Sequence, residues 1–264
     1  MERAKPHTLR EALALGAARI VAFTGGGGKT TAMFRLAAEL SAARVLVTTT
    51  TRIWAPRAEQ AALDLAADLA TACAQLRCAD WAHGVRALGT AITPEGKLQG
   101  VPPAWIAALA AEADYVLVEA DGAAGKPLTA PRAYEPVIPP ATELLVPVAG
   151  VEAVGAPLDA AHVHRVPEIA ALTGVPIGAP LAAPHVATVM LSAQGNVKGA
   201  PAGARIVPLV NKVDTPAAEA VARTLAAALL AAGAERVVLA RLASADPVVA
   251  VVEHAPRVQA ASRR

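Results

Sequence analysis

The chain is short of the residues that mark several specialised protein classes. Only 3% of its 264 residues are aromatic, only two are cysteine, and the formal net charge at pH 7 is +2. Cys73 and Cys78 have no companion cysteine or histidine cluster, which excludes a disulfide framework and a metal centre of the usual spacing. They read as reduced thiols on or near a helix. The near balance of charge excludes binding of nucleic acid through a broad basic face, and the basic ending Ser262-Arg263-Arg264 reads as a solvated terminus. No apolar run reaches the ~18 to 20 uncharged residues of a membrane span, and the opening MERAKPHTLREAL lacks a signal-peptide core. The expectation is a cytoplasmic protein with no nucleic-acid or membrane partner. What is abundant is small and apolar: 55% of the residues are hydrophobic and alanine supplies much of the excess, which suits helices packed closely on a sheet.

Strand and helix signals alternate along the chain. A helix over 8–17 with Thr8 as its cap precedes an apolar strand over 19–23. Helical spacing of Met33, Leu36, Ala37 and Leu40 predicts a helix over 31–40, and β-branched residues predict a strand over 44–50. Next come a helix over 59–76, a hairpin over 85–100 that turns at Pro94-Glu95-Gly96 and lies at a sheet edge, a helix over 102–112 and a strand over 115–118. The segment 123–140, rich in proline, glycine and alanine, is too long for a plain connection and reads as functional. Strands over 143–148, 205–210 and 236–240 and helices over 164–173, 184–192 and 217–232 complete the series. This alternation implies one α/β domain over 1–264, its sheet mostly parallel and covered by helices on both faces.

FTGGGGKTT, from Phe23 to Thr31, joins the first strand to the next helix. The common phosphate-loop pattern is Gly, four residues, then Gly-Lys-Ser/Thr; Gly28, Lys29 and Thr30 fit, and Phe23 stands where the first Gly belongs. The variant TGGGGKT moves that Gly inward and makes Phe23 the last strand residue, as in the P-loop proteins that include partition, metallochaperone and amidoligase-like NTPases. Gly25, Gly26, Gly27 and Gly28 are expected to offer backbone N–H groups to phosphate, aided by the helix N-terminus at Thr30 and Thr31. Lys29 is expected to supply a full charge to the outer phosphates, and Thr30 a hydroxyl to Mg²⁺. The predicted fold is therefore an α/β P-loop NTPase.

A strand ending in an acid is the usual second half of such a site, and Tyr115 to Val118 leads into Glu119, with Asp121 two residues on. Glu119 is assigned to the ion and Asp121 to orienting a water or sensing the γ-phosphate, with exchange of these roles left open. Lys29, Thr30, Glu119 and Asp121 form the candidate catalytic set. Thr48 to Arg52 ends the second strand at the carboxyl edge, where α/β sheets place ligands, so Thr49 and Arg52 are candidates for substrate or client contact. Asn211-Lys212-Val213-Asp214 follows a late strand. It resembles the N-K-x-D loop of GTPases, which implies that Asp214 is a buried carboxylate accepting from guanine N1–H and the exocyclic amine, with Asn211 supporting the loop and Lys212 stacking on the ring. Adenine lacks that donor pair, so GTP is favoured over ATP, bound with Mg²⁺.

VEADGAAGKPLTAPRAYEPVIP, from Val118 to Pro139, resembles the signature of the selenium-dependent hydroxylase accessory proteins, the YqeC family. The glycine loop, TTTTR, HVHRVPEIAALTG and GNVKGAP ahead of VNKVD follow in that family's order, so the resemblance spans nearly the whole chain. It implies a role in supplying or maturing the selenium-containing cofactor of a molybdenum hydroxylase. It also implies contacts to that client or cofactor intermediate by Lys126, Arg132, Glu135, His164, Arg165 and Lys198. The leading expectation is a GTPase or NTPase of this role. A small-molecule kinase or ligase acting on a cofactor precursor, and a nucleotide-gated module that docks a client enzyme, stay open.

Overall fold

Short apolar runs form the strands, and alanine-rich runs with helical spacing form the helices. The computed structural model describes residues 7–82 and 84–254, so the ending 262–264 and the first six residues lie outside the described residues. In chain order the elements are α1 (Leu9–Ala12), β1 (Ile20–Gly25), α2 (Lys29–Glu39), β2 (Val45–Thr49), β3 (Arg52–Trp54), β4 (Ala62–Leu65), α3 (Leu69–Cys78), β5 (Val85–Gly89), β6 (Ala91–Ile92), β7 (Lys97–Gln99), α4 (Ile106–Leu109) and β8 (Tyr115–Glu119). A long irregular segment leads to β9 (Leu144–Gly150), α5 (Val166–Thr173), α6 (Ala183–Leu191), β10 (Arg205–Ile206), β11 (Leu209–Asn211), α7 (Pro216–Ala231), β12 (Arg236–Ala240) and β13 (Val248–Glu253).

The main sheet runs β13-β12-β11-β9-β1-β8-β2-β5-β4, with β10 also paired to β9. Every pair is parallel except β12–β13. The carboxyl ends of β1, β2, β8, β9 and β11 therefore meet at one edge. Alternation along β1 sends Val21 and Phe23 into a core with Leu36 and Met33 of α2, and sends Ile20 into one with α3 and α4. Farther along, α5, α6 and α7 pack on Ala149, Val210, Val237 and Leu239. An α/β architecture with a mostly parallel central sheet is thus present.

Several local expectations change. Phe23 is fully buried within β1, which continues to Gly25. The expected helix over 59–76 divides: Ala62–Leu65 pairs with β5 as the sheet's edge strand, and the helix begins only after Asp68, whose side chain caps it by accepting from the Thr71 N–H at 2.9 Å. The hairpin turns as expected but forms a separate three-stranded sheet, β3-β7-β6, while β5 lies inside the main sheet. Thr8 does cap α1, yet that helix ends at Ala12, and Ala14 takes φ of +48°. Cys73 and Cys78 are both free and both on α3. Among the described residues no helix is long and apolar enough to cross a membrane.

Candidate functional site

Gly25 to Gly28 carry the chain from β1 into α2 through a space that excludes side chains. Gly25, Gly27 and Gly28 have φ of +88°, +70° and +129°. A Cβ would lie 2.3 Å from Val148 O at Gly25, 2.6 Å from Lys126 O at Gly26, 2.1 Å from Gly150 N at Gly27 and 2.4 Å from Asn211 Nδ2 at Gly28. Close approach of β9, β11 and the 123–140 segment thus requires glycine here as strongly as φ does. It also redirects the loop's donors: the N–H groups of Gly25, Gly26 and Gly27 bond inward to Asp121 Oδ2 (2.7 Å), Val148 O (2.8 Å) and Lys126 O (2.9 Å). The expectation that all four glycines face a ligand is corrected accordingly. Among the described residues no group accepts from the N–H of Gly28, Lys29, Thr30 or Thr31, and these four stand at the positive end of α2.

Lys29 is 4% exposed, and its Nζ donates to Gly25 O at 2.6 Å while pairing with Asp121 Oδ1 at 3.1 Å and Glu119 Oε1 at 3.4 Å. Burial acts to lower its pKa, but the two carboxylates together outweigh burial and hold it above the ordinary lysine value. Burial pushes the Glu119 and Asp121 carboxyls up, against the pull of Lys29. One cation and two carboxylates leave a surplus negative charge away from water, which favours a further cation or a retained proton. Thr30 Oγ1 donates to Glu119 Oε2 at 2.6 Å, so a hydroxyl and a carboxylate stand where one hard cation can meet both. Among the described residues no group of three or more His, Cys, Asp or Glu side chains could hold a metal. A cation here needs oxygens from a ligand or water to complete its shell.

Asn211 ends β11 and ties three segments together. Its Nδ2 donates to Gly27 O at 2.8 Å, and its Oδ1 accepts from the Leu242 N–H at 3.0 Å. Lys212 adopts φ of +65° and pairs with Glu152, a residue with no signal in the sequence reading. Asp214 is exposed, contrary to the expected buried carboxylate, but it lines the same cavity as Lys29.

That cavity, about 770 Å³, runs from Lys212 and Asp214 across Lys29 and Glu119 to Arg52 and Trp54. Thr31, Lys126 and His164 also line it. Lys126 is held by its own bond to Ala161 O at 2.6 Å, and burial, with Arg165 and Arg132 nearby, lowers the pKa of His164. Thr49 is not available to a ligand: its buried Oγ1 donates to Glu119 O at 2.7 Å and accepts from the Thr51 N–H at 3.0 Å. Arg132, Glu135, Arg165 and Lys198 gather elsewhere. Glu135 and Arg165 form an ion pair, and Lys198 donates to the carbonyls of Arg132 (3.0 Å) and Ala133 (2.6 Å). These four pin the 123–140 segment and do not line the main cavity. Trp54 and Lys97 line it although sequence reasoning passed over them; the signal was Trp54 two residues beyond Arg52 on a strand.

A sequence model of the YqeC protein family matches residues 21–167, from β1 into α5, which takes in the glycine loop, Glu119, Asp121 and the 123–140 segment. The chain is also similar to the Escherichia coli (strain K12) protein named "Uncharacterized protein YqeC", 34% identical over 199 residues that cover 73% of this chain and 75% of that one. With a match over more than half its length and a relative of this identity and coverage, the chain belongs to the YqeC family.

Proposed function

We propose that this chain is a P-loop NTPase that binds a nucleoside triphosphate with Mg²⁺, hydrolyses it, and serves in maturation or cofactor supply of a selenium-dependent molybdenum hydroxylase. One observation carries the nucleotide reading. Four unbonded N–H groups at the start of α2, the Lys29 ammonium and the Thr30 hydroxyl converge beside Glu119 in a cavity that ends at Asp214. In this reading the first turn of α2 takes the phosphate oxygens and Lys29 sets its charge against the outer ones. Asp121 holds the loop through Gly25 and keeps Lys29 protonated, acting as a positioning residue. Thr30 and Glu119 fit Mg²⁺, which when bound neutralises charge on the outer phosphates. Asn211 fixes the base-side loop, and Asp214 at the cavity mouth favours guanine over adenine. The client role rests on YqeC membership and on the resemblance of the Val118–Pro139 signature to the hydroxylase accessory proteins.

A small-molecule kinase or ligase is the second reading, favoured by the cavity's continuation past Glu119 to Arg52 and Trp54. Titration of the chain with GTP, ATP and CTP in Mg²⁺, followed by product analysis, tests both. Tighter binding of GTP with release of free phosphate is expected; a phosphorylated small molecule would select the kinase, and no binding of any triphosphate would end the nucleotide reading.

A further inference from the structure

On the side of Glu119 away from Asn211, the chain leaves β2 and builds the sheet β3-β7-β6. Successive residues of a strand point to opposite faces. In β3, Arg52 and Trp54 are exposed and Ile53 is buried. β7 pairs antiparallel, with Trp54 opposite Lys97 and Arg52 opposite Gln99, so these four side chains share one face while Ile53 and Leu98 enter the core. Lys97 Nζ lies 5.3 Å from the centre of the Trp54 ring. Arg52, Trp54 and Lys97 line the cavity that contains Lys29 and Glu119. Arg52 and Gln99 line an adjoining cavity of about 570 Å³ with Thr51 and Tyr134. One sheet face thus spans both spaces.

A lone exposed indole on a convex surface needs no explanation. This one is 65% exposed inside a concavity, with one cation against its ring and a second two residues away on the same face. Glu95, on the turn beyond β6, feels both cations, which outnumber it on this face; of the other carboxylates lining the two spaces, Glu119 is paired with Lys29 and Glu135 with Arg165. An aromatic plane beside cations recognises a flat ring that carries an anion: the ring covers the indole, and the anion meets a guanidinium in a fork geometry.

The geometry points to a second ligand site on this face, for a small planar ring compound bearing a phosphate or carboxylate, with the ring against Trp54 and the anion at Arg52 and Lys97. Its place beside the outer phosphates rests on the nucleotide reading above; the recognition chemistry of the face does not.

Flavin mononucleotide is the probe, since it joins a planar ring to a phosphate; riboflavin lacks the phosphate and glycerol 3-phosphate lacks the ring. The full chain is saturated with a non-hydrolysable GTP analogue and Mg²⁺, then titrated with each probe by flavin fluorescence anisotropy or calorimetry. Flavin mononucleotide should bind, and each control about tenfold or more weaker. Trp54→Ala and Arg52→Ala should each weaken the probe ~5- to 30-fold, while binding of a fluorescent GTP analogue by Trp54→Ala stays within about twofold of wild type. Absence of flavin mononucleotide binding, equal binding of riboflavin, or indifference to both substitutions would overturn the site. If the GTP analogue fails to bind while flavin mononucleotide still binds and responds to the substitutions, the nucleotide reading falls and the second site stands.

Discussion

At the glycine-loop end of the cavity Lys29, Glu119 and Asp121 are buried and each loop glycine is wedged against a neighbouring segment, whereas at the opposite end Lys212 and Asp214 are exposed, Lys212 in a surface ion pair with Glu152, and Asn211 is the buried side chain that fixes the loop. The first region is held by backbone close approach and by charges away from water, where a single atom out of place is costly. The second relies on side chains that water already satisfies, so its changes should be small until a ligand covers them. Rigidity therefore sits where the charges are buried, and latitude sits where the side chains are exposed.

The sharpest way to break the rigid end is Gly27→Ala. A Cβ 2.1 Å from Gly150 N, at a φ of +70°, should cost about 3–5 kcal/mol of stability, read from denaturant unfolding. Glu119→Gln removes the carboxylate beside Thr30 without changing shape; turnover should fall ~10²- to 10³-fold, with triphosphate affinity measured in EDTA nearly unchanged. Normal turnover would assign Glu119 a structural role.

Lys29→Ala should weaken triphosphate binding roughly 30- to 150-fold, as loss of one charged hydrogen bond of about 2–3 kcal/mol requires. It also leaves Glu119 and Asp121 without their cation, so the fold should suffer as well. A carboxyl whose folded pKa lies above its unfolded value, as both do, supports the fold fully below the unfolded value near 4, and loses that support as pH rises through the folded one. The melting temperature of Lys29→Ala should therefore fall more steeply than that of wild type as pH rises above the ordinary carboxylate range. Lys29 acts with the same sign in a higher window: its raised pKa supports the fold below about 10.5 and loses that support only above it, so it adds no slope in the neutral range.

At the looser end, Asp214→Asn should lower GTP affinity about tenfold and improve binding of xanthosine triphosphate, an effect reduced from that of a buried carboxylate because Asp214 is exposed. Equal binding of GTP and ATP by wild type would remove Asp214 from base selection. Gly96→Ala closes the series. Its φ is +81° but nothing lies within 4 Å of the added Cβ, so the loss should be only about 1 kcal/mol, and the contrast with Gly27 separates conformational strain from collision.

The residues around the glycine loop were legible in the chain because they obey local rules. A strand, a glycine run and a helix must follow one another there, and an apolar strand ending in Glu119 belongs at the same sheet edge once the sheet is parallel. Thr8, Lys29, Thr30 and Asn211 all stand at the ends of elements, as the sequence implied. What the chain alone determined was the alternation of strands and helices and the clustering of glycine, lysine, threonine and acid at their junctions, since periodicity and backbone freedom are properties of neighbouring residues. Contacts between distant segments decided the rest. Ala62–Leu65 became a strand because β5 offered it an edge, and Thr49 was drawn onto Glu119 O instead of a ligand. Arg165 was drawn into an ion pair with Glu135, and the glycine N–H groups turned inward because β9 and the 123–140 segment lie against them. A hydrogen bond or an ion pair needs both partners in place, and the distance between them exists only once the chain has folded.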